Sequence, residues 1–491
     1  MFGSKKKQSK VKVDPWSLDR PLLHLSRDDA WTVRDACAGT LIFGATGSGK
    51  TTGSGQSVAM AMLRAGFGGL VLTVKSEETV RWMEYMERCG WLDDLIVFSP
   101  ESEYRFNFLE YERQRTTRGG GNTENLVELF VTVMSVGRKK ASSGSDGAFW
   151  EQAMRQLLRN MLDALRLAGR PMTLDNMRML IVSAPQSREE ADCEDWKRDS
   201  FLFDTLATAA EQVEGDEDRH VLKQTEGYWL DEYAEILDAK TRGNIISTFT
   251  TTADGFMRGK LHTLFGTELN ITPELTMTEG KVIVIDLPER QFHDLGKVAQ
   301  LVWKTCWQRA VEQAERDASS RPVMLWVDEA QNFITSKETA FVQTVREKKG
   351  CCVYLTQSKS NYLDALGPGH DATAESFLGI PATKIFHCNG DPETNHWAER
   401  VISDDWTMKA NQNVTRGDKS QPQGKGREDK FSTGYTRERQ ANVFASEFGK
   451  LRCGGPPEYT VDAILFQSGR QFVGGNGSSI RVAFPQKPTL K

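Results

Sequence analysis

Nine residues near the start of the sequence, "GATGSGKTT" from Gly44 to Thr52, combine small side chains with one lysine and four hydroxyls. Gly44, Gly49, Lys50 and Thr51 fit the spacing GxxxxGK[ST]. Glycines let the backbone wrap an anion with its amide N–H groups pointing inward, and Thr46, Gly47, Ser48 and Thr52 complete the wrap. The apolar run "TLIF" precedes this loop and a helical periodicity follows it, so a helix N-terminus adds partial positive charge. This is chemistry for holding the phosphates of ATP. Lys50 is expected to reach the β and γ phosphates, and the Thr51 hydroxyl to bind Mg2+.

Hydrolysis needs carboxylates as well. "VMLWVDEAQNF" supplies Asp328 and Glu329 where an apolar strand should end. Asp328 is expected to hold Mg2+ through its water shell, and Glu329 to polarise the attacking water. Asp286 in "VIVIDLP" is a weaker alternative, because it lacks an acidic neighbour and precedes Leu287 and Pro288. Gln357 closes the next apolar run, "CCVYLTQ", where it could contact the γ-phosphate or its water. Arg346 sits on the intervening helix; in a ring of subunits it could reach a neighbour's nucleotide, and otherwise it is a solvated helix residue.

The elements around these residues alternate. Strands are predicted at "TLIFGA", "GGLVLTV", "WLDDLIVFSP", "KVIVIDLP", "PVMLWVDEA", "CCVYLTQ" and "ATKIFHCN". Helices are predicted from Thr51 to Ala65, Asp294 to Arg316, Lys337 to Lys348 and Pro392 to Ile402. Short apolar strands separated by helices imply an α/β fold with a central, mainly parallel sheet. Residues 121–240 differ, because apolar residues recur there at three- and four-residue spacing and strand signals vanish. The expected organisation is a basic N-terminal arm (1–35), a nucleotide-binding domain in two parts (36–120 and 241–491), and an all-α insertion (121–240) between them. Residues 409–440, polar and poor in large apolar side chains, are expected to form a mobile surface loop within the second part.

The 491 residues carry a formal charge of −5, so the whole-chain balance demands no nucleic acid. Eight scattered cysteines without a CxxC pair suit reduced thiols rather than a disulfide framework or a zinc site. The N-terminus has lysines but no apolar secretion core, and no window approaches a membrane span. The sequence reads as a cytoplasmic protein that a partner would have to bring to the inner face of a membrane.

Taken in order, these motifs resemble the FtsK/HerA class of ring ATPases, and within it the TraG-like coupling proteins of conjugation and type IV secretion. "TVKSEET" resembles that family's Asp-Pro-Lys-Gly-Glu strand end, with Lys75 and Glu77 kept and Thr73-Val74 in place of Asp-Pro. "FNFLE", "AFWEQAMRQLLRNML", "KTRGNIISTFTTT", "LPERQF", "VDEAQNF", "VREKKGCCVYLTQS" and "NGDPETNHWAERVI" follow in the family's order, across roughly residues 36–475. The resemblance implies a RecA-like P-loop NTPase with a helical cap, working as a hexameric ring that binds DNA in its channel. It also implies a relaxase and secretion-channel proteins as partners. Members bound to membranes begin with transmembrane helices, and this sequence shows none.

A motor moving along DNA needs phosphate contacts rather than base readers. The segment 409–440 holds eight Lys or Arg against four Asp or Glu, and includes Lys409, Arg416, Lys419, Lys425, Arg427 and Lys430. With the N-terminal lysines it is the candidate DNA contact, although mixed-charge loops usually serve only solvation. The acidic stretch "EQVEGDEDRH" would repel DNA and suits a protein partner or solvent. Two other readings stay open: a related ATPase working with a nuclease in DNA processing or phage defence, and a nucleotide-gated scaffold that recruits substrates.

Overall fold

The computed structural model describes residues 14–115, 122–137, 145–335, 337–415 and 430–486. Two short strands, β1 (Pro21–His24) and β2 (Ala30–Thr32), pair near the start. The main strands follow: β3 (Thr40–Phe43), β4 (Gly68–Leu72), β5 (Leu95–Phe98), β6 (Val282–Ile285), β7 (Val323–Val327), β8 (Gly350–Thr356) and β9 (Thr383–Phe386). Strands β10 (Asp404–Thr415) and β11 (Lys430–Ala441) pair with each other, and β12 (Thr460–Gln467) and β13 (Ser479–Pro485) complete the set. Nine strands form one sheet in the order β13-β12-β9-β3-β8-β7-β4-β6-β5. It is parallel from β9 to β5, and only β12 and β13 run antiparallel to their neighbours.

Strands β3, β4, β6, β7, β8 and β9 are buried at every position, which requires cover on both faces. Alternating side chains supply two cores. Leu41, Phe43, Leu325, Val327 and Tyr354 face one cluster, shared with the helices Ser145–Leu167 and Glu289–Gln313. Ile42, Met324, Trp326, Val353 and Leu355 face the other, shared with the helices Gln56–Arg64 and Ser76–Cys89. Every regular element among the described residues from Thr123 to Thr278 is a helix, past residue 240, where the insertion was expected to end. The last of the long ones, Ala239–Asp254, starts on Asp238, whose carboxylate accepts from the backbone of Lys240 and Thr241 at 3.0 Å.

Two expectations change. The polar segment expected as a loop is, at both its ends, a twelve-pair antiparallel ribbon, β10–β11, while residues 416–429 lie outside the described residues. Of the basic arm, expected to be partly ordered, residues 14–35 are described: Trp16 donates to Ala65 O at 3.2 Å beneath Arg321, and Trp31 donates to Thr383 Oγ1 at 3.2 Å. Its first 13 residues, with the lysines, lie outside the described residues. The helix expected from Asp294 begins at Glu289 and is broken at His293, whose φ of 50° is non-helical.

A buried ion pair fixes the helix Glu289–Gln313 against the segment after β7. Lys304 bonds Glu338 and the Phe333 carbonyl, and Glu338 accepts from Tyr354 at 2.6 Å and Gln308 at 3.0 Å. Both charged side chains are 1% exposed. Truncating Glu338 to Ala would strand the Lys304 charge, so chemical denaturation should show a loss of about 3–5 kcal/mol, whereas a paired K304M/E338L variant should lose far less. A loss below ~1 kcal/mol for E338A would mean that the charge finds other compensation.

Candidate nucleotide site

Strands β3, β8 and β7 lie side by side and run the same way, so their C-terminal ends share one edge of the sheet. Phe43 pairs with Thr356, and Val327 with Tyr354. At the usual spacing the ends of β3 and β7 are about 10 Å apart. The phosphate loop leaves β3 tied to both neighbours: Gly44 N donates to Thr356 O at 3.3 Å, and Ala45 N to Cys388 O at 3.0 Å. Gly47 and Gly49 have φ of 76° and 81°, left-handed values that disfavour side chains. A Cβ on Gly44 would fall 2.3 Å from Ser48 Oγ, and one on Gly49 2.5 Å from Val461 Cγ2. Glycine is therefore needed at both positions.

The helix after the loop opens with a wide π turn, Thr51–Gly55, rather than the regular helix expected from Thr51. Ser54 Oγ lies 2.6 Å from His387 Nε2 inside this turn. Burial pushes His387 down to about 3, so the ring is neutral and adds no competing cation beneath the loop. Gln486 donates to Thr52 Oγ1 at 2.9 Å and accepts from Gly455 N at 2.6 Å, which braces the turn from the far end of the chain.

Lys50 and Asp328 are both buried, and Asp328 N donates to Leu72 O at 3.1 Å. Burial raises the Asp328 carboxyl to about 7; the carboxylates of Glu78 and Glu329 add to the rise, and the Lys50 charge counters it. Lys50 thus lies within electrostatic reach of Asp328. Glu329 takes a left-handed conformation, φ 46° and ψ 54°, and its Oε2 accepts from Gln331 Nε2 at 2.9 Å. Ser48 Oγ and Asp328 Oδ1 are buried with no hydrogen-bond partner. Two orphaned oxygens beside a glycine-built cradle and a buried lysine fit a triphosphate with Mg2+. Mg2+ commonly takes one or two protein oxygens besides phosphates and water, which Thr51 and Asp328 can provide. Among the described residues no group of three or more His, Cys, Asp or Glu could hold a metal unaided.

The expected residues divide. Gly44, Thr46, Gly47, Ser48, Gly49, Lys50, Thr51, Thr52, Asp328, Glu329 and Gln357 gather along the shared edge. Gln357 follows β8 directly, and its carbonyl accepts from Asn389 at 2.7 Å. Arg346 is exposed and precedes β8, whose seven residues place it roughly 20 Å from its own chain's phosphate loop. Asp286 follows β6, two strands from β7, and accepts from Ser76 Oγ at 3.0 Å. Glu78 was not singled out from the sequence. It is buried beside Arg81 at 2.7 Å, and both Lys75 and Lys50 act on its charge, so it is a third carboxylate near Asp328. Only its neighbours Lys75 and Glu77 hinted at it.

Solved structures of the bacterial conjugative coupling protein TrwB match this chain. The complex with ADP and Mg2+ aligns over 98% of this chain and 92% of TrwB, with a TM-score of 0.60 and 14% identity. The complex with the non-hydrolysable GTP analogue GDPNP gives 98%, 93%, 0.60 and 14%, and the unbound form 92%, 86%, 0.58 and 14%. The chain has the TrwB fold. No protein-family model matches it, nor does the sequence of any curated protein. A RecA-like P-loop fold with a mostly parallel sheet is thus common to two sequences that are 14% identical.

The Asp328 carboxyl gives a pH test without nucleotide. Its folded value, about 7, lies above the ordinary aspartate value of 3.8, so this group costs stability as pH rises between them, and in full above about 7. Asp328→Asn should therefore raise Tm at pH 8, by about 1 °C for each kcal/mol relieved in a chain of this length, and leave it unchanged near pH 4. Equal effects at both pH values would remove the buried-charge account.

Proposed function

We propose that the protein is an ATP-hydrolysing ring motor that translocates DNA, of the kind found among conjugative and type IV secretion coupling proteins. The observation that carries this reading is the convergence of Lys50, Asp328 and Glu329 on one sheet edge, with Ser48 Oγ and Asp328 Oδ1 orphaned there. The loop amides and Lys50 hold the phosphates, and Thr51 with ionised Asp328 holds Mg2+, which when bound supplies neutralisation of phosphate charge. Glu329 accepts a proton from the attacking water, and Gln357 meets the γ-phosphate from the end of β8. The bound states of TrwB, with ADP and Mg2+ and with non-hydrolysable analogues, support nucleotide and Mg2+ as ligands here.

Ring assembly is supported by the place of Arg346. It is exposed and distant from its own loop, so a transition-state role requires a neighbouring subunit, as in a hexamer. DNA is the proposed track, and the β10–β11 ribbon with its basic segment 409–440 is the proposed contact. Arg437 and Arg439 share one face of the ribbon with the exposed Tyr435 and Met408 by register, a mixture of cations suited to phosphates and a ring suited to stacking on bases. Among the described residues no helix is long and apolar enough to cross a membrane. Secretion-channel proteins and a relaxase are the proposed protein partners.

Lys50→Ala should abolish hydrolysis, and Glu329→Gln should bind ATP yet turn over at least about a hundredfold slower in a steady-state phosphate-release assay. Normal turnover in Glu329→Gln would remove it as the base. In a titration of protein concentration, specific activity should rise steeply as rings form and rise further with DNA, and Arg346→Ala should erase the concentration-dependent part. A specific activity that ignores both concentration and DNA would overturn the motor reading.

A further inference from the structure

The candidate base is held by a hydrogen-bonded path that ends on the phosphate loop. Gln331 Nε2 donates to Glu329 Oε2 at 2.9 Å, and Thr356 Oγ1 donates to Gln331 Oε1 at 2.9 Å. Thr356 is the last residue of β8, is fully buried, and its carbonyl accepts from Gly44 N at 3.3 Å. The amide of Gln331 has one workable orientation here, because a carboxylate only accepts and the opposite orientation would set two acceptors together. The Glu329 backbone is pinned separately: its carbonyl accepts from Asn332 N at 2.9 Å and from Asn332 Nδ2 at 3.1 Å. Gln331 therefore acts on the side chain of a glutamate whose main chain is already fixed in a left-handed turn.

We infer that Gln331 is a positioning residue for hydrolysis, which ties the Glu329 carboxylate to Thr356 and through it to the first residue of the phosphate loop. This rests on Glu329 serving as the base. A glutamate side chain has three free rotors, and freezing them in one pose costs conformational entropy. An amide already held by Thr356 meets that cost before nucleotide binds. It also makes the aim of the base depend on the same strand end that anchors Gly44, so a shift of the loop reaches Glu329 by direct contacts. Gln357, next along β8, is carried by the same strand end.

The test compares Q331L, T356V, T356S and Q331L/T356V with wild type and with E329Q, measuring kcat and KM for ATP and the Kd of ADP. Q331L and T356V should each lower kcat about tenfold or more, with KM and Kd within about twofold, the split expected when only the reacting pose is lost. T356S, which keeps the hydroxyl, should retain wild-type kcat. The double variant should be no slower than the slower single, because both break one path. Should Q331L not fold, the contrast between T356V and T356S decides alone. Wild-type kcat in Q331L beside an inactive E329Q would overturn the inference while leaving the function reading intact; multiplying losses in the double variant would overturn it as well. An active E329Q would instead remove the reading on which it rests.

Discussion

Parallel strands that end together force the polar residues behind them into one small, water-poor volume. Here β3, β8 and β7 deliver a lysine loop, a glutamine and a pair of carboxylates to the same edge. Each group alters its neighbours: the Asp328 carboxyl rises to about 7 because burial, Glu78 and Glu329 oppose its charge, and Lys50 offsets only part of that. A site with excess acid and two orphaned oxygens favours a cation and a polyanion arriving together, since either alone leaves charge uncompensated.

Behind that edge the sheet is kept in register by contacts that do no chemistry. The Lys304–Glu338 pair and Tyr354 lock the segment after β7 to β8 and to the long helix on one face. The ring of Phe43 stacks on Phe386 and meets Trp397 edge-on, which packs the start of the phosphate loop against β9 and its following helix. Such contacts matter because a displacement of the loop of about 1 Å would degrade the proposed reaction, which depends on aligned phosphates and carboxylates.

How far the sequence could be read follows from which signals are local. Gly44, Gly49 and Lys50 announce themselves by spacing, and the α/β alternation follows from six strands apolar enough to be buried on both faces. The β10–β11 ribbon was illegible because a two-stranded ribbon outside the main sheet has little core to face, so its sequence lacks the apolar alternation that marks a strand. Glu78 and Gln331 were illegible for a different reason. Glu78 starts a helix far along the chain from Asp328, and Gln331 matters only because Thr356 comes to lie beside it. Proximity across strands leaves no trace in spacing.

The bracing of Thr52 by Gln486 spans 434 residues, and Val461 lies under Gly49 and Gly53. During synthesis the loop leaves the ribosome long before either partner exists. A nascent chain therefore carries the motif without these two supports until β12 and β13 have added to the sheet. The bracing of the loop is therefore among the last contacts of the fold to become possible.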